Sequence, residues 1–152
     1  MKLPSFPPPP PYPFQKQEPK QKPKTVSREC VYGIECLKNH FLRAHLYVSE
    51  ALRCSAGGTV TKEAQEKIRL VREQLLAEDD FQAAIKIGPP LSIEMLKILA
   101  SARETWKAIE KSGLDVGYGT PDDLNSVASA IKTLYEAIYE VDKRFRNSSS
   151  YP

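Results

Sequence analysis

The sequence predicts an all-α protein, an antiparallel four-helix bundle preceded by an extended proline-rich arm. Three observations carry that prediction. Apolar residues recur at alternating spacings of three and four in four separate stretches, the pattern of helices that each bury one face. No stretch of useful length alternates apolar and polar residues as a half-buried strand would. Nine of the 13 prolines fall within the first 23 residues, so a proline-rich segment is joined to a proline-poor body. The division is an arm over residues 1–25, a helical body over 26–147 and a short polar tail over 148–152.

In the arm, Pro7 to Pro11 run without interruption, which holds φ at about −65° and favours a polyproline II rod. The stretch from Gln15 to Lys24 follows as a solvated, semi-extended linker. With so few apolar residues, the arm cannot build a core of its own.

The first helix is expected from about Ser27 to Cys54. Cys30, Ile34, Leu37, Phe41, Ala44, Val48 and Ala51 form its stripe, with His40 and Tyr47 on one flank and His45 and Leu52 on the other. Gly57-Gly58 supplies its stop signal. Thr59 or Thr61 then offers an N-cap oxygen to a second helix, whose stripe is Ala64, Ile68, Val71 and Leu75 and which fades near Glu78. Glu63 and Lys67 stand in it as a favourably oriented i,i+4 pair.

Residues 80–87 read as a short extra helix inside a connection, capped by Asp79-Asp80, carrying Phe81, Ala84 and Ile85, and ended by Gly88-Pro89-Pro90. Ser92 is the expected N-cap of the third long helix, with Met95, Leu99, Ala102, Trp106 and Ile109 in its stripe, reinforced by Leu96. Gly113 ends it, and Leu114 is placed to cover the last turn. Thr120-Pro121-Asp122-Asp123 gives the fourth helix a capping hydroxyl, a proline at its first position and two carboxylates at the positive end of its dipole. From there Leu124, Val127, Ile131, Leu134, Ile138, Val141 and Phe145 keep the spacing without a miss. The first and fourth helices come out at roughly 42 and 39 Å and the other two nearer 27 and 30 Å, so the long pair is expected to overhang.

The formal net charge of +3 divides unevenly. Five lysines against Glu18 give the arm +4, which leaves the body at −1. A near-neutral body argues against phosphate binding across a whole face. Cys30 and Cys54, at opposite ends of one helix, stand about 36 Å apart and cannot pair. Unpaired thiols, prolines where a signal peptide would need apolar residues, and the absence of a long uncharged apolar run point to an intracellular chain that does not enter a membrane.

Catalytic spacing is missing. A di-iron bundle needs Glu-x-x-His pairs, yet Leu37 and Leu42 stand three residues before His40 and His45. Helical ribonucleases of the HEPN type place an arginine four to six residues before a histidine, and neither histidine has one there. Cys36 and His40 share a helix face at i,i+4 and could donate two ligands to a soft metal, but no further His or Cys cluster completes a shell. The sequence therefore reads as non-enzymatic, with no cofactor and no metal, and its histidines and cysteines as packing residues.

Interaction motifs are present instead. Phe6, Pro7, Pro8, Pro9 and Pro10 match the aromatic-proline pattern read by EVH1 grooves, and Pro9, Pro10, Pro11 and Tyr12 match the Pro-Pro-x-Tyr pattern read by WW domains. Tyr135 and Tyr139 lie beside the fourth stripe and make an aromatic patch suited to docking. The expectation is a helical-bundle subunit or adaptor of a multiprotein assembly, tethered to a protein partner by its arm. The alternative is a small subunit of a ribonucleoprotein or DNA-bound complex, in which Lys20, Lys22, Lys24, Arg43, Arg53, Arg69 and Arg72 line a phosphate path.

Overall fold

Each apolar stripe becomes a helix in a computed structural model of the chain, which describes residues 28–55 and 59–148. The helices are α1 (Arg28–Cys54), α2 (Lys62–Leu75), α3 (Glu78–Ile85), α4 (Leu91–Ser112) and α5 (Pro121–Arg146), with a 3-10 turn at Leu114–Val116. No strand occurs among the described residues. The arm, with Phe6, Pro7 to Pro11, Tyr12, Lys20, Lys22 and Lys24, lies outside the described residues, as do Gly57, Gly58 and the tail from residue 149.

The rods form an antiparallel four-helix bundle, and the second rod is built from two helices. Along α1 the partners run in reverse order through α2 and on into α3. Glu50 meets Lys67 at 3.1 Å, His40 meets Gln74 at 2.7 Å and Asp80 at 2.8 Å, and Glu29 meets Lys86 at 2.7 Å. The α2 and α3 lengths, 14 and 8 residues against 22 in α4, give a broken rod about as long as its neighbour. The short helix is thus part of the bundle rather than a turn in a connection, and it fills the overhang expected beside the first helix. Its anchor is Phe81, fully buried with its ring centroid 5.9 Å from that of Phe41.

Around the bundle, α1 packs against α2, α3 and α5, while α4 packs against α5, α3, α2 and the 3-10 turn. The helices α1 and α4 therefore hold opposite corners. All the residues of the four predicted stripes are buried in one contiguous core. The start of α5 is as predicted: Thr120 Oγ1 accepts from the Asp123 amide at 3.2 Å, and the Asp123 carboxylate accepts from the Thr120 amide at 2.9 Å. Thr61 caps α2 in the same way by accepting from the Ala64 amide. Gly113 takes the left-handed conformation that ends α4, with φ of 77°, and Leu114 behind it is fully buried.

Four local expectations are corrected. Asp79 and Asp80 lie inside the first turn of α3, where its dipole favours them, and Ala77 takes the cap position without a side-chain bond. Pro90 takes the cap position of α4, which puts Ser92 inside the first turn and buries it. Leu96 is half exposed because it stands a 100° step past Met95, off the buried face; Ile98, on the opposite flank of the stripe, is buried instead. Lys67 turns to Glu50 on α1 rather than to Glu63, because the packed helix brings that carboxylate within 3.1 Å.

Candidate functional site

Two places in the bundle gather polar or aromatic side chains. The first is the seam between α1 and α5. Lys38 immediately follows Leu37 of the α1 stripe and Asp142 follows Val141 of the α5 stripe, so each lies at the edge of a buried face and packing draws it in. Lys38 Nζ donates to Asp142 at 2.9 Å and pairs with Glu35 at 2.8 Å. Arg146 closes the ring through Nε to Asp142 at 3.0 Å and through an outer nitrogen to Glu35 at 2.9 Å. Two cations and two carboxylates thus neutralise one another. Burial acts to lower the Lys38 pKa, but hydrogen bonds and charges from Glu35 and Asp142 overcome it and hold the ammonium above its ordinary value.

Aromatic groups sit directly on this network. Lys38 Nζ lies 5.0 Å from the centroid of the Tyr139 ring, and Tyr139 meets Tyr135 edge to face at 5.1 Å between centroids. Tyr139 remains 40% exposed. On α1, Leu42 and Leu46 follow Lys38 by one and two turns and are exposed at 38% and 50%. Because α1 and α5 run antiparallel, these leucines stand along α1 in the direction from Tyr139 to Tyr135, turning progressively toward its outer face. On the outer side of α5 a groove of about 530 Å³ runs from Tyr135 to Asn147 past Glu136, Glu140 and Lys143. The structure thus sets the predicted pair Tyr135 and Tyr139 beside Lys38 and Asp142, which sequence reasoning missed. Spacing alone gave no signal for the buried charges, since a residue one step off a stripe is ordinarily solvated.

The second place is a polar hollow between α1 and α3, about 470 Å³, lined by Tyr32, Cys36, His40, Arg43 and Asp80 among others. It contains the Cys36 and His40 pair. Both ring nitrogens of His40 are engaged, Nδ1 with Gln74 Oε1 and Nε2 with Asp80 Oδ2. In this arrangement His40 offers Cys36 no free nitrogen to take its proton. The histidine instead spans the break in the second rod, tying α1 to the end of α2 and the start of α3 at once. Among the described residues no three His, Cys, Asp or Glu side chains are grouped to hold a metal ion. A hydrogen bond with Cys36 raises the exposed Tyr32 phenol above its ordinary pKa.

The arginines of the alternative reading fall in different surroundings. Arg43 lines the polar hollow, whereas Arg69 Nε donates to the Asp115 carbonyl in the 3-10 turn at 3.1 Å. Arg72 follows Arg69 on α2, and Arg53 stands at the far end of α1, exposed. Lys20, Lys22 and Lys24 belong to the arm and lie outside the described residues. No helix among the described residues is long and apolar enough to cross a membrane. Compared with protein-family models, with curated proteins and with solved structures, the chain matches none of them.

Proposed function

We propose that this protein is a non-catalytic helical-bundle subunit that docks a protein partner along the α1–α5 seam, with the proline-rich arm as a tether. The observation that carries the reading is the 40% exposed Tyr139, edge to face with the partly buried Tyr135 and resting on an ion network that is already neutral, with the exposed Leu42 and Leu46 nearby on α1. Tyrosines that are packed on one side and open on the other lose little entropy when a partner covers them, and such aromatics dominate the centres of interfaces. The self-paired charges beneath them need no counter-ion from the partner. The seam is therefore suited to burial, whereas a phosphate path would need cations left unpaired along one face.

The experiment is site-specific photo-crosslinking in cells, with a benzophenone amino acid at Leu46 and, as a control on another face, at the exposed Lys107. The same discrete adduct is expected from Leu46 and not from Lys107. It should weaken with Tyr139→Ala and again when residues 1–25 are removed, while helical circular dichroism stays unchanged. Equal adducts from both positions, or none from Leu46, would reject the docking face. Retention of RNA or DNA on a filter at low salt, lost steeply as salt rises, would replace this reading with the nucleic-acid one.

A further inference from the structure

The groove beside Tyr135 and Tyr139 has the chemistry of a site for a basic, proline-rich peptide, and this chain carries one. Polyproline segments bind by laying their rings against aromatic side chains, with flanking cations beside acidic residues. Here the two tyrosine rings stand edge to face on α5, and Glu136 and Glu140 flank them without an ion pair to any described residue. The Lys38, Glu35, Asp142 and Arg146 charges cancel, so Glu136 and Glu140 against Lys143 leave the groove one negative charge in excess. The arm carries five lysines against one glutamate, together with the unbroken run Pro7 to Pro11.

The connection also fits. Glu35 is bonded to Arg146, which places the start of α1 near the Asn147 end of the groove. Arg28 lies about 10 Å beyond that point along α1, and the groove itself extends about 18 Å along α5. A chain turning back from Arg28 must cover roughly 28 Å to reach Tyr135. The sixteen residues from Tyr12 to Ser27 span up to about 50 Å at polyproline spacing. Running in that direction, Lys24, Lys22 and Lys20 pass Glu140 and Glu136 before the prolines arrive at the tyrosines.

We propose that in the free chain the arm lies in this groove, with Pro7 to Pro11 against Tyr135 and Tyr139 and its lysines beside Glu136 and Glu140. The short tether supplies an effective concentration near the millimolar range, so weak contacts suffice. This contact belongs to the free chain and needs no external partner.

The test uses the full chain at low salt, mixed from ¹⁴N- and ¹⁵N-labelled preparations and treated with a zero-length carbodiimide crosslinker. Links from Lys20, Lys22 or Lys24 to Glu136 or Glu140 are expected within one isotopic chain, at a yield that dilution leaves unchanged. The ring resonances of Tyr135 and Tyr139 should shift when Pro7 to Pro11 are replaced by serine, and shift the same way in E136Q/E140Q. Links joining the two isotopes would assign the groove to a second copy and overturn the proposal. So would links spread evenly over surface carboxylates, or ring resonances that neither variant moves.

Discussion

Replacing Gly33 by alanine sets helix propensity against packing, and the structure decides which wins. In the interior of a helix this change ordinarily stabilises by about 1 kcal/mol, because glycine loses the most backbone freedom on folding. Gly33, however, is where the backbone of α3 approaches α1. A methyl group added there would stand 2.9 Å from the Asp80 carbonyl oxygen, 3.0 Å from the Ala83 Cβ and 3.0 Å from the Ala84 amide nitrogen. Comfortable contacts are about 3.5–4.0 Å, so α3 would have to back away. It is held in place by His40 to Asp80, by Cys30 to the Ala84 carbonyl and by the burial of Phe81. Overpacking of this kind costs about 1–3 kcal/mol, and because two of the three close neighbours are backbone the upper part of that range applies. After the propensity gain, a net loss of about 1–2 kcal/mol is expected. For a body this size that lowers Tm by roughly 3–10 °C. Thermal and urea unfolding of Gly33→Ala followed by circular dichroism measure it directly. A Tm raised by a few degrees would show that α3 does not sit tightly on Gly33, and the broken-rod description would fail with it.

Lys38→Met should destabilise the protein by about 3 kcal/mol, the low end for breaking a buried pair, because Arg146 still holds Asp142. The folded Lys38 pKa is raised, so its stabilisation is complete below the ordinary value of 10.5 and disappears as pH climbs through the folded value. Urea midpoints between pH 9 and 12 should therefore fall less steeply in K38M than in the parent; parallel curves would remove Lys38 from the account. Burial pushes the Cys30 thiol up to about 11, against a smaller lowering by Lys86, and the side chain is inaccessible. At pH 8 a thiol reagent is expected to modify the half-buried Cys36 and Cys54 and to reach Cys30 only after denaturant is added, as mass spectrometry of the labelled peptides will show. Trp106 buries its indole nitrogen without a hydrogen-bond partner. Removing that orphan donor recovers about 1–3 kcal/mol, which offsets most of the lost volume, so Trp106→Phe should move the urea midpoint little; a loss near that of a full tryptophan deletion would mean the nitrogen is satisfied.

The amino-acid order by itself determined the helices, because periodicity and end signals are local. Seven apolar residues from Leu124 to Phe145 at alternating spacing, opened by Thr120 and Pro121, leave the backbone one favourable solution, and the same holds for Cys30 to Ala51. Tyr135 and Tyr139 were legible as a surface pair because they stand beside a stripe rather than in it. Packing decided the rest. That α3 completes the second rod depends on Phe41 and Gly33, forty to fifty residues earlier in the chain. Lys38 meets Asp142 across 104 positions, and neither residue looks buried until two helices close over it. Long-range ion pairs, close backbone approach and the neutral floor beneath the tyrosines arise from which faces meet, and a one-dimensional pattern records only which faces are oily.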